Sequence, residues 1–264
     1  AALLVSLCFW TFTVFSQVKE DTIFQNEYLL VLNTYTSDAP WSNAIISPIL
    51  QWLNAERKTE VYVENMNMLM IDDSLKLADL KSTIFAKYGK KKPKAVLLLG
   101  NSMLLFRNEM REAWGDIPLI LCGEENYMGP DDCYIKKYPV VPSEQVPLTN
   151  FTEEYNLTLL QTRVFIEENV KLLQHMIPDM KKIILIGDGR YVNQQLNVDL
   201  KQLLQKKYSN LEYDFYSAAN MTTDSLLLKL NKVNSATTGV LLSSWFTRQV
   251  VAGNVQLQAN SFQV

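Results

Sequence analysis

The chain is 264 residues long, 48% apolar, 20% charged and 11% aromatic, which excludes a disordered polypeptide and leaves room for one large or two medium α/β domains. Net charge is −3, and the only basic cluster, Lys90, Lys91, Lys92 and Lys94, has no interleaved aromatics. With a pI near 5.4, nucleic acid is excluded as a partner.

Residues 1–16, AALLVSLCFWTFTVFS, carry no charge and end at an abrupt polar break. The run is shorter than the roughly 20 apolar residues of a spanning helix and reads as the apolar part of a signal peptide or signal anchor. A buried apolar N-terminal helix is the competing reading. Export implies an oxidising compartment. There Cys122 and Cys133 either close a loop disulfide or stay as two free thiols.

Tyr28–Leu32 is an unbroken apolar run, as expected of a parallel strand buried on both faces. The polar loop Asn33–Trp41 follows it, then a helical pattern from Trp41 to Glu56 that Pro48 is expected to kink or restart. Val61–Met66 reads as the second strand. Asp72 and Asp73 stand where their charge suits the N-terminal dipole of a helix running to Tyr88, with Gly89 ending it. Ala95–Leu99 is a strand, Gly100–Asn101 a turn, Met103–Ala113 a helix and Pro118–Cys122 the fourth strand. Residues 27–128 thus predict a doubly wound parallel-sheet lobe.

Gly129–Pro147 holds Pro130, Pro139, Pro142 and Pro147 without helical period, and residues 129–152 read as a crossover or linker. Residues 153–264 predict a second α/β lobe. Its elements are a long amphipathic helix over Glu153–Met176, strands at Lys182–Ile186, Leu211–Tyr216 and Gly239–Leu242, and helices at Asn193–Lys207 and Thr222–Val233. From Arg248 the pattern is polar and weakly alternating, so this second lobe is expected to be truncated. The fold class read here is α/β, two doubly wound parallel-sheet lobes around a cleft.

No catalytic constellation stands out. His175, the single histidine, lies near a helix end without a nucleophile motif or a second histidine for a metal. GDGR at Gly187–Arg190 is neither a Walker loop nor a dinucleotide fingerprint. The expectation is therefore no metal, no cofactor and no enzymatic activity, with a glycosidase working through Glu124 and Asp188 as the enzymatic alternative. Ligands of open α/β sheets gather at the carboxyl ends of the strands. Those ends present Tyr35, Trp41, Asn101 and Glu124 in the first lobe and Asp188, Tyr191 and Trp245 in the second. Aromatic faces beside amides and carboxylates suit a small polar metabolite, a sugar first of all. The plain alternative is that the two tryptophans only pack.

Five stretches carry a family resemblance: LVLNTYTSDAPW, VLLLGNSML, PLILCGEEN, IILIGDGRYVNQQ and GVLLSSWFTR. They resemble the strand-end motifs of the periplasmic-binding-protein-like sensor domains of bacterial membrane histidine kinases, and of related ABC-type solute-binding proteins. Thr36 stands where that family commonly has His, and Asn101 where it commonly has Asp. The resemblance implies an extracytoplasmic ligand-binding sensor of a two-component system. It would be periplasmic, tethered to the inner membrane, in an arrangement that admits a homodimer, and would signal by lobe closure. A solute-binding component of an importer is the alternative it allows.

Overall fold

The computed structural model describes residues 27–56, 59–161, 165–251 and 254–259. The apolar segment 1–16 and Cys8 lie outside the described residues. Among the described residues, no helix is long and apolar enough to cross a membrane.

The chain is a mixed α/β protein. Five parallel strands form its larger sheet, β1 (Tyr28–Asn33), β2 (Glu60–Asn65), β3 (Ala95–Leu99), β4 (Leu119–Gly123) and β7 (Leu157–Gln161), in the order β2-β1-β3-β4-β7. Alternate residues of a strand face opposite sides of a sheet, and here both sides are covered. Leu30, Leu32, Val96, Leu98 and Leu121 pack on one face with residues of α2 (Ser74–Tyr88) and α3 (Arg107–Trp114), among them Ile84, Met110 and Trp114. Val31, Leu97 and Leu99 pack on the other with Trp41, Ile45 and Ile46 of α1 (Pro40–Glu56). Each wholly buried Leu or Val contributes about 1.5–3 kcal/mol of transfer free energy, and this explains the continuous apolar runs of the central strands.

Asp73 caps α2 by accepting the Lys76 N–H at 2.8 Å, as a side chain at that position should. Pro48 does not interrupt α1, which runs unbroken across it. Ala44, whose carbonyl the proline leaves without a helical partner, and Pro48 itself are both exposed, so water can satisfy that carbonyl.

The continuous helix expected over Glu153–Met176 is not formed. α5 (Leu148–Glu154) ends at Tyr155, β7 follows, and α6 (Ile166–Met176) begins after it. β7 pairs in parallel with β4, Leu157 opposite Leu119 and Leu159 opposite Leu121, so Leu157 and Leu159 obey a period of two and pack on the larger core. The stretch expected to be a linker is likewise built into that core. It holds the helix α4 (Asp131–Lys136) and β6 (Val146–Pro147), which pairs with β5 (Tyr127–Met128) just before the stretch, and Cys133, Tyr134, Ile135, Val140 and Leu148 are buried with the first sheet's residues.

The second sheet has three parallel strands, β8 (Lys182–Gly187), β9 (Glu212–Ser217) and β10 (Thr238–Leu242), in the order β10-β8-β9. Ile183 and Leu185 pack with Val170 of α6 and with Leu200 and Leu204 of α7 (Tyr191–Lys207). Ile184 and Ile186 pack with Leu226 of α8 (Thr223–Leu230). An antiparallel pair, β11 (Phe246–Val251) and β12 (Asn254–Ala259), follows. Both parallel sheets share one winding. β1 leads to β2 on one side and β3 lies on its other side, and β8, β9 and β10 repeat that order. Each sheet thus has a switch point, beside β1 and beside β8, where crossovers diverge and a crevice opens.

Candidate ligand-binding site

At the end of β1 the side chain of Asn33 is buried and fully used. Its Oδ1 accepts the Tyr35 N–H at 3.2 Å and the Ser42 hydroxyl at 2.7 Å, and its Nδ2 donates to Asn65 Oδ1 at 2.7 Å. This Asx turn fixes where Tyr35 emerges. At the end of β8 the same turn recurs with a carboxylate: Asp188 Oδ1 accepts the Arg190 N–H at 3.0 Å. Asp188 is fully buried, and its charge is met by the Arg190 guanidinium, with Nε at 3.0 and 3.1 Å from the two oxygens and a terminal nitrogen at 3.0 Å. Asn193 and Ser244 add donors at 2.7 and 2.8 Å. A buried carboxylate needs such a shell, since stripping its water costs several kcal/mol.

The two turns meet. Arg190 lies over the Tyr35 ring, 5.3 Å from its centre, while Trp41 packs edge-on against that ring at 5.8 Å. The Tyr35 hydroxyl donates to Glu124 Oε1. Glu124 leaves the end of β4, and its Oε2 accepts the Asn101 N–H at 3.0 Å. Burial raises the Glu124 carboxyl above its usual range, opposed by the Tyr35 and Asn101 hydrogen bonds. Burial and the Glu124 charge hold Tyr35 well above an ordinary phenol.

Gly100 makes this approach feasible. Its φ is +96°, and a Cβ there would stand 2.4 Å from Thr34 Oγ1 and 3.1 Å from Glu124 Oε1. Asn101, fully buried, then fastens the loop after β4. Its Nδ2 donates to the carbonyls of Glu125 and Tyr127 at 3.1 and 2.8 Å, and its Oδ1 accepts the Glu124 N–H at 2.9 Å.

A cavity of about 200 Å³ opens at this junction. Thr34, Tyr35, Thr36 and Asp38 after β1, Ser102 after β3, and Glu124 after β4 line one part. Arg190, Tyr191 and Val192 after β8 line another, and Asn67, Met68, Leu69, Tyr134 and Lys137 complete the wall. Asn67 and Lys137 have left-handed backbones, φ 45° and 59°, the two non-glycine positions among the described residues that do. Such conformations are costly and concentrate at functional sites. Lys137 Nζ is anchored on the carbonyls of Ile71 and of Ile135, the latter at 2.7 Å.

Of the seven residues expected to line a cleft, Tyr35, Glu124 and Tyr191 reach the cavity wall. Trp41 stands behind Tyr35, Asn101 lies beneath the Glu124 loop, and Asp188 lies beneath Arg190. Trp245 is elsewhere: 3% exposed, it packs with Ile184, Ile186 and Leu226 and donates from Nε1 to Thr223 Oγ1 at 3.1 Å. The chain past β10 turns this ring under α8, away from the residues that line the cavity. Thr34 and Asp38 belong to the loop Asn33–Trp41, which reads from the sequence as the rim of a binding site; Asn67, Ser102, Lys137 and Arg190 were not singled out there. The Asp-x-Arg spacing after a buried strand was the available signal for Arg190; the others are common polar residues placed by the fold.

Cys122 and Cys133 are buried free thiols, without a disulfide between them. Among the described residues no group of His, Cys, Asp and Glu is arranged to hold a metal ion. No protein-family model matches the chain, and no curated protein or solved structure shows significant similarity to it.

Proposed function

We propose that this chain is a ligand-binding domain of two α/β lobes, which takes a small polar metabolite at the junction of its sheets and reports occupancy by a change in how the lobes approach. The observation that carries this reading is a cavity lined by loops following β1 and β4 of one sheet and β8 of the other, with Arg190 laid over Tyr35. A ligand touching both groups of loops would favour the closed arrangement by its differential affinity. Glu124 and Asp188 are each engaged by the protein's own donors, and this favours binding over acid–base turnover. An extracytoplasmic sensor of a membrane histidine kinase is the setting we assign, on the strength of the strand-end motifs.

A thermal-shift screen of sugars, amino acids and nucleosides on the full chain tests the reading. At a ligand concentration of 100 times Kd, about 2.7 kcal/mol of added stability is expected. The binder's affinity should fall in Tyr35→Ala, and scattering should report a more compact particle on binding. A screen with no binder, or a binder indifferent to Tyr35→Ala, sinks the proposal.

A further inference from the structure

Three charged groups around the cavity, Arg190, Lys137 and Glu124, are already spoken for, while Asp38 and the neutral groups are left to a ligand. Arg190 is forked onto Asp188. Lys137 is anchored on two backbone carbonyls. Glu124 holds the Tyr35 hydroxyl with one oxygen and the Asn101 N–H with the other. That N–H opens the helical stretch after β3, the place where an anionic ligand would otherwise be received. The protein's own carboxylate fills it.

The groups left for a ligand are different in kind. Asn67 is a cavity residue, and among the described residues no partner engages its side-chain amide. Thr34 and Ser102 face each other at 2.9 Å, with either hydroxyl able to donate. One hydrogen settles that contact and leaves the couple a further donor and lone pairs. Asp38 is exposed at the wall and offers acceptors to a hydroxyl. An amide that both donates and accepts, beside hydroxyls that do the same, matches groups that also do both. An anionic ligand would lose its hydration and find no uncommitted counter-charge inside.

Volume narrows the class. An apolar cavity of roughly 150 Å³ holds one benzene ring, so about 200 Å³ is room for one substituted ring.

We propose that the cavity takes a neutral polyhydroxylated molecule of single-ring size, a monosaccharide or cyclic polyol, in preference to its phosphorylated counterpart. This rests on the binding reading above and adds the ligand's charge and size.

The test is titration calorimetry on the full chain with D-ribose, D-glucose, D-galactose and myo-inositol, alongside D-ribose 5-phosphate, D-glucose 6-phosphate, D-glucosamine and L-glutamine. A neutral member should bind, with its phosphorylated counterpart at least about tenfold weaker. Asn67→Gly deletes the amide while leaving the left-handed backbone at ease, and Ser102→Ala deletes the hydroxyl. Each should weaken the neutral binder by about tenfold, with the ligand-free melting temperature checking that the variants fold. If only a charged member binds, and Tyr35→Ala abolishes that binding, the cavity is the site but the present inference is wrong. No binding by any neutral member also overturns it, and silence across the whole panel and the broader screen takes the binding reading down as well.

Discussion

The guanidinium of Arg190 sits 5.3 Å from the centre of the Tyr35 ring while its nitrogens hold Asp188 at about 3.0 Å. One side chain thus neutralises a buried carboxylate of the second sheet and lies on an aromatic face carried by the first. We expect Arg190→Ala to cost about 3 kcal/mol in chemical denaturation, the range for stranding a buried charge. Arg190→Lys should recover part of it, since an ammonium restores the charge without the planar fork. A loss below about 0.5 kcal/mol in Arg190→Ala would mean Asp188 is satisfied without its partner.

Asn101 presents a different kind of dependence. Its amide donates twice to carbonyls and accepts from the Glu124 N–H. Asn101→Ala should lower stability by about 2–3 kcal/mol, as buried groups lose their partners. Asn101→Asp is nearly isosteric, but turns both donors into acceptors facing carbonyl oxygens. Urea denaturation should rank it at or below the alanine variant, and a neutral result would show the loop after β4 to be held by other contacts.

Glu125 gives a pH dependence with a definite sign. Burial first, then the negative charges of Asp199 and Glu124, push its carboxyl from 4.5 up to about 8. The folded chain therefore holds a proton that the unfolded chain releases above about pH 4.5. Its contribution is fully present below that value and is lost as the pH rises through about 8. Burial raises Asp199 and Glu124 in the same direction. Glu125→Gln should be more stable than the parent at pH 8.5, by on the order of 2 kcal/mol, and its stability should decline less between pH 5 and 8. Parallel curves for the two proteins would contradict the assignment.

The thiols supply a check on the core. Burial raises Cys122, and burial with the nearby Asp131 and Glu144 charges pushes Cys133 up to about 12. A thiol held neutral and covered is a poor nucleophile. Peptide mapping after iodoacetamide treatment at pH 8 should find both residues unmodified in native protein and both modified in denaturant. A peptide linking Cys122 to Cys133 would contradict the free thiols described above.

Much of the fold was legible because the central strands are covered on both faces. Leu30, Val31 and Leu32, or Val96 to Leu99, can be little else than buried parallel strand. β7 was misread for a physical reason. As an edge strand its outward Leu160 is 51% exposed, so the apolar sequence LTLLQ joins seamlessly to the helical spacing on either side. At the site, the strand ends were correctly placed, but the direction of each side chain was not a property of the sequence pattern. Trp245 follows a strand exactly as Tyr35 nearly does, yet α8 covers it. Lys137 and Asn67 reach the cavity through left-handed backbones, which propensity alone does not forecast.

The twin turns at Asn33 and Asp188 have unequal tolerance to the smallest of chemical edits. Exchanging the amide at 33 for an acid would set a bare negative charge against Asn65 and the Thr36 carbonyl, oxygens that the present side chain satisfies, with no arginine in the matching seat. The reverse exchange at 188 would instead leave Arg190 as the unmatched ion. The two turns share a geometry, yet their side chains cannot be traded.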